Sequence, residues 1–216
     1  MSKQRQNSKG FTIVELMIAT TVFSIVLLLV STAMVQIANV YYKGVTETNT
    51  QNVARGVLDT IAQAVQFNGG VVTQTPAVAP PAGSATVFCV GDTQYAYQLG
   101  WELSDSPVGS KNQAYHALVQ NHVPNCAGAG GVAAGYLKQP SVPGVELMNQ
   151  NMRLAKMTLQ QIGTSNLYRI NIRVVYGDND VLTNPTTASA ACAGVSAGSQ
   201  YCAISELSTI VSKRVP

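Results

Sequence analysis

The longest apolar stretch of the chain lies near its start. From Phe11 to Ile37 only Glu15, Gln36 and a few hydroxyl residues interrupt it. A bilayer core is crossed by about 20 such residues, so a membrane-spanning helix is predicted here. Thr20, Thr21, Ser24, Ser31 and Thr32 do not oppose insertion, because their hydroxyls can bond back to helix carbonyls. Beyond Ile37 the pattern turns amphipathic. Val53, Val57, Ile61 and Val65 recur every four residues, with Ala54, Leu58 and Ala64 beside them. That spacing makes one apolar stripe, suited to packing on a domain. Asn68-Gly69-Gly70 supplies a stop. No proline occurs between Phe11 and Thr75, so one unkinked helix is predicted from Phe11 to Phe67, with Gly44 and Gly56 as its weak points.

After Gly70 the period changes. Val71 to Thr86 is rich in Pro, Ala, Gly and Thr and is predicted to be an exposed loop. In "TQYAYQLGWELS", Tyr95, Tyr97, Leu99 and Trp101 alternate with Gln94, Ala96, Gln98 and Gly100, which predicts a strand with one face inward. "YHALVQNHV" is a second candidate. In "LYRINIRVVYG" the residues Tyr168, Ile170, Ile172, Val174 and Tyr176 share one face, and Arg169, Asn171 and Arg173 the other. "MRLAKMTLQQI" before it, joined through Gly163-Thr164-Ser165-Asn166, predicts a hairpin. A last strand is predicted from Ile204 to Val211. The fold class is therefore α+β, a long N-terminal helix whose stripe is covered by an antiparallel sheet.

Charge adds a leader to this picture. Lys3, Arg5 and Lys9 lie in the first ten residues with no acid among them; without them the 13 basic residues fall to 10, matching the 10 acidic ones. The body is thus neutral and offers no basic stripe for nucleic acid. A basic start places the N-terminus in the cytoplasm and the body outside. Only 11% of residues are charged, against about a quarter in typical soluble domains, so acid–base catalysis has little to work with.

Glu15 stands out, since a carboxylate in hydrocarbon costs about 2.5–3.5 kcal/mol and needs a partner. A cut between Gly10 and Phe11 would create an α-amine four residues before Glu15, about one helical turn away. That cation could pair with its own Glu15 or with that of a neighbouring subunit.

Gly10-Phe11-Thr12-Ile13-Val14-Glu15-Leu16-Met17, behind a short basic leader, resembles the processing motif of type IV pilins and type II secretion pseudopilins. The resemblance covers about the first 40 residues. It implies that a membrane prepilin peptidase cuts after Gly10 and N-methylates Phe11, and that Glu15 guides subunits into a growing filament. The α+β head is similar to a pilin head by pattern alone.

Cys89, Cys126, Cys192 and Cys202 all fall in the part expected outside the cytoplasm, where disulfides persist. Four cysteines allow three pairings. A C-terminal Cys192–Cys202 loop resembles one common in pilins, and that resemblance implies Cys89 with Cys126 as the other pair.

Other candidate chemistry is weaker. "GAGGVA", Gly128 to Ala133, has the letters of a dinucleotide loop but no leading strand, and is expected to be a flexible loop. His116 and His122 could share a strand face, yet no ligand cluster accompanies them, so no metal site is expected. Asp178-Asn179-Asp180 follows a strand. Some pseudopilins bind calcium in head loops, but a plain turn is the better reading here. There is no CxxC, HExxH, GxSxG or Walker A sequence, and no cofactor is expected.

These readings divide the chain into a removable leader (1–10), an anchor and filament-core helix (11–37), the amphipathic half of that helix (38–68) and an extracytoplasmic β-rich head (69–216). The expected function is structural, not enzymatic. The chain would be a minor pilin or pseudopilin of a type IV pilus-like filament. It would be stored in the membrane and then assembled with other pilin subunits into a surface or periplasmic filament. The long Pro/Gly/Ala-rich loops and the size of the head favour a minor subunit. A major pilin, or an uncleaved single-pass binding protein, are the alternatives, and a membrane-tethered enzyme has the least support.

Overall fold

The computed structural model describes residues 10–75, 84–103, 116–124, 126, 130–133, 137, 144–194 and 198–215. The chain divides into two units, Met1–Tyr41 and Tyr42–Pro216.

Helix α1 runs from Ile13 to Phe67, 55 residues, and passes through both Gly44 and Gly56 without a break in its assignment. It starts two residues later than the expected Phe11, because Thr12 serves as its N-cap. In the first unit every helical residue is exposed. The predicted back-bonds are present: Thr20 Oγ1 donates to the Met17 carbonyl at 3.0 Å, Ser24 Oγ to Thr20 at 2.8 Å and Ser31 Oγ to Leu27 at 2.8 Å. Thr21 and Thr32 bond back to Ile18 and Leu29 in the same way. The hydroxyls are thus satisfied without water.

In the second unit the helix becomes one-sided, as the four-residue spacing predicts. Thr50, Ala54, Val57, Leu58, Ile61 and Val65 are buried, and Val53 is partly so. The helix ends at Phe67 with the Asn68 amide donating to the Ala64 carbonyl at 2.9 Å, and Gly70 takes a positive φ of 92°.

Among its described residues the head holds two antiparallel sheets and a short ribbon where one sheet was expected. The first sheet comprises β1 (Ser84–Val90), β2 (Thr93–Tyr97), β3 (Leu118–His122), β4 (Gly130–Ala133) and β5 (Val145–Glu146), in the order β4-β1-β2-β3-β5. The second comprises β6 (Met152–Gln161), β7 (Leu167–Tyr176) and, beyond two short strands, β10 (Ala203–Ser212), in the order β10-β7-β6. The ribbon pairs β8 (Leu182–Thr183) with β9 (Ala191–Cys192).

The predicted hairpin forms as β6–β7, its register running from Gln161 opposite Tyr168 to Met152 opposite Tyr176, with Gly163 at φ 61° in its turn. The β7 face of Tyr168, Ile170, Ile172 and Val174 is buried, as its alternation requires. β10 extends one residue beyond the predicted strand at each end.

Three expectations need correction. Val71–Thr86 is not all loop: residues 84–86 begin β1, where Thr86-Val87-Phe88-Cys89-Val90 leave the Pro-rich segment and favour extended chain. Residues 76–83 lie outside those described. Gly128–Ala133 is likewise not all loop, since Gly130–Ala133 form β4 on the edge of β1, with Gly131 opposite Thr86. The strand of Tyr95 and Tyr97 stops at Tyr97, and the chain turns at Gly100 with φ 81°. A Cβ there would lie 2.3 Å from the Thr186 carbonyl carbon, so a loop can cross this position only because it is glycine.

The stripe of α1 is sealed by both sheets. Phe88, Val90, Tyr95 and Tyr97 of the first and Leu154, Leu159, Ile170 and Ile172 of the second meet it in one cluster. Part of each sheet's other face is covered too. Val87, Ala96 and Val119 pack with Leu137 and Trp101. Ala155 and Val175 pack with Val181, Leu182, Ala190 and Cys202. Ala96 is therefore buried rather than solvent-facing.

Candidate processing and assembly site

The site begins where the polar leader meets the apolar helix. Gly10 and Phe11 precede the helix and are exposed, Phe11 at 84%. A Cβ built on Gly10 would meet nothing within 4 Å, and Gly10 does not take a positive φ. The fold therefore makes no demand for glycine at this position.

Thr12 and Glu15 form a reciprocal cap. The Glu15 amide donates to Thr12 Oγ1 at 3.2 Å. Glu15 Oε2 accepts from the Thr12 amide at 2.9 Å and from the Thr12 hydroxyl at 2.8 Å. The Leu16 amide donates to the Thr12 carbonyl at 3.2 Å, closing the first turn. This is a capping box, in which a Thr at the N-cap and a Glu three residues on satisfy donors that the helix start leaves over. The Thr-x-x-Glu spacing was readable in the sequence. Attention to the charge of Glu15 obscured it.

Behind the cap, Ile13–Phe67 is a helix long and apolar enough to cross a membrane, and its most apolar window is wholly unburied. Phe23, Leu28 and Leu29 are each about two-thirds exposed. Large side chains in such a row need a cover of lipid or other helices.

The four cysteines are joined as Cys89–Cys126 and Cys192–Cys202, with Cα separations of 5.8 and 5.7 Å. The first ties β1 to the segment that leaves β3. The second closes a ten-residue separation ahead of β10. Lys43 Nζ donates to the Cys202 carbonyl at 2.6 Å and lies 3.4 Å from Glu47, so this C-terminal loop is bonded to the helix.

The remaining candidates have structural partners. His116 is buried, with Nδ1 3.1 Å from Glu146 Oε2, while His122 is exposed at the end of β3. Glu146 also accepts from the amides of Ala117, Leu118 and Met148 at 2.9–3.1 Å, so its carboxylate fastens β5 to the start of β3. Asp178 and Asp180 are exposed in a turn, and Asn179 Oδ1 between them accepts from Arg153 at 2.9 Å. No group of three or more His, Cys, Asp or Glu side chains able to hold a metal occurs among the described residues. The glycines of Gly128–Ala133 that are described sit in an antiparallel edge strand, not in a strand-to-helix turn.

Sequence reading missed Arg153. It is fully buried. Nη1 donates to Asn179 Oδ1 and to the Pro185 carbonyl, each at 2.9 Å, and Nη2 donates to the Gly177 carbonyl at 3.1 Å. Glu102 Oε2 lies 3.1 Å from Nη2. One guanidinium thus holds the loop that follows β7 against β6. Two buried phenols complete the head's polar interior. Burial pushes both Tyr95 and Tyr97 well above the ordinary tyrosine range.

No curated protein and no solved structure matches the chain. One family model does, that of the prokaryotic N-terminal methylation motif, over residues 5–31. The matched span holds Gly10, Phe11, the Thr12–Glu15 cap and the first turns of the exposed apolar helix. Over residues 5–31 the chain thus carries the N-terminal methylation signature found in type IV pilins and pseudopilins.

Proposed function

We propose that the chain is a minor subunit, a pilin or pseudopilin, of a type IV pilus-like filament. Residues 1–10 are the leader, 11–37 the anchor and later filament core, 38–68 the half of the helix that braces the head, and 69–216 the extracytoplasmic head. A prepilin peptidase cuts after Gly10 and methylates Phe11. The new amine and Glu15 then set the register between neighbouring subunits.

The observation that carries this reading is the methylation motif at residues 5–31 on a helix whose apolar surface no described residue covers. Two further facts support it. Gly10 is a glycine without a folding reason, which suits a residue selected by a peptidase. Glu15 is held by Thr12 in the uncut chain, so its carboxylate is kept satisfied until a stronger partner exists. Cutting between Gly10 and Phe11 supplies that partner, a cation one helical turn away.

The test is Gly10→Val. Nothing crowds a Cβ at Gly10, so the variant is expected to fold and insert as the parent does. It should remain at 216 residues rather than the 206 left by removal of ten, and it should stay out of filaments. A Gly10→Val chain that is shortened to Phe11 and assembles like the parent contradicts the reading.

A further inference from the structure

Two tyrosines far apart in sequence meet at the point where the helix enters the second unit. Tyr42 and Tyr201 have ring centroids 5.8 Å apart, tilted by 46°. Each is 47% exposed, and Val45 beside them is 50% exposed. Tyr201 is brought there by the C-terminal loop, which is closed by Cys192–Cys202 and bonded to the helix through Lys43 and the Cys202 carbonyl. Tyrosine is enriched where one end of the ring is apolar and the other wet.

Chain length says what covers the patch. Tyr42 follows Ile13 by 29 residues of one continuous helix, about 43 Å at 1.5 Å per residue. A bilayer with its headgroup layers is about 40–45 Å thick, of which the hydrocarbon is about 30 Å. If the helix start lies at the inner headgroups, the outer headgroup layer falls at Tyr42 and Lys43. Tyrosines form belts at that depth, and lysine ammonium groups reach it readily. We infer that Tyr42, Val45 and Tyr201 form a lipid-docking patch, with the disulfide-closed C-terminal loop seated in the outer headgroup layer while the subunit is stored in the membrane. This rests on the membrane-anchored reading above. It goes further in assigning a lipid contact to the head.

The experiment uses the full chain in phospholipid vesicles, with Trp101→Phe and Tyr201→Trp, so that position 201 carries the sole indole. Its emission should be lost to a nitroxide on the lipid headgroup and spared by one at the acyl-chain end. A companion chain, Trp101→Phe with Leu28→Trp, should show the reverse order. If the indole at 28 behaves so while that at 201 is quenched by neither lipid, the patch is overturned and the anchor stands. If the indole at 28 escapes the deep quencher, the anchored reading fails and takes the patch with it. An indole at 201 shielded from aqueous iodide yet untouched by both lipids shows that another copy of the chain covers the patch, which also overturns the inference. Should the Trp101 change disturb folding, the unmodified chain is labelled with a phospholipid carrying a photoreactive headgroup. Adducts on Ser199–Cys202 support the patch, and their absence there contradicts it.

Discussion

At the residue scale, the proposed function gives Glu15 a second role beside the cap that the structure shows. As a cap it needs only an acceptor for the Thr12 amide; as a register residue it needs a charge. Glu15→Gln retains an acceptor and removes the charge. It is expected to leave the amide exchange of Ile13–Leu16 close to that of the parent while abolishing filament assembly. Thr12→Ala should do the opposite, speeding exchange at the helix start while leaving assembly in place. Assembly that survives Glu15→Gln would reduce Glu15 to a cap. Arg153 is a residue of a different kind, a buried charge held by three oxygen acceptors and Glu102. Arg153→Met should destabilise the full chain in detergent by about 3–5 kcal/mol in urea unfolding. Adding Glu102→Gln should recover part of that loss, because the remaining carboxylate would no longer be buried without its cation. The two buried phenols fix an alkaline limit. Their folded pKa values lie above the unfolded value of about 10, so their contribution is full below that pH and is lost as pH rises beyond it. Stability measured against pH should therefore fall above about pH 10. Tyr95→Phe should flatten that fall at little cost at neutral pH, since the Tyr95 hydroxyl has no hydrogen-bond partner among the described residues.

At the scale of elements, legibility followed periodicity. The four-residue stripe of α1 and the two-residue alternation of β7 are long, unbroken patterns, and both elements were readable from them. Arg153 was not, because β6 changes parity within itself. Met152 and Leu154 face the main core, and so do Met157 and Leu159, an even pair followed by an odd one. The switch requires an extra residue, and the bulge between Leu154 and Lys156 provides it. That parity change was the available signal. Arg153 alternates with Met152 and Leu154 and so falls on the face away from the main core, where the loop that buries it comes from beyond β7. β4 was illegible for another reason: Gly130 and Gly131 have no side chains to alternate, and only the free edge of β1 recruits them. Ala96 is small enough to fit either face, so the second cover of the first sheet was hidden as well. In the C-terminal loop, replacing Cys192 and Cys202 together by alanine should cost about 2–3 kcal/mol, the loop-closure value for a ten-residue separation. Differential unfolding of the two forms checks this. Ile61→Ala, in the centre of the helix stripe, should cost about 2–5 kcal/mol by the same measurement.

At the scale of the whole molecule, two surfaces carry different duties. The second unit packs a core of apolar residues between its helix stripe and its sheets. Among its described residues the first unit buries nothing: Phe11, Ile13, Leu16 and the large residues that follow are all exposed. A helix that is apolar all round is made for an environment other than water. In the proposed function, lipid in the precursor and sister helices in a filament are successive occupants of this surface, and removal of the leader is the step proposed to separate them. The most direct measurement of this account is the intact mass and N-terminal sequence of the protein taken from native membranes. The account predicts a chain that begins at Phe11 and is heavier than 206 residues by one methyl group. A working chain that retains residues 1–10 would contradict it, leaving an anchored protein in which Glu15 is only the cap of its helix.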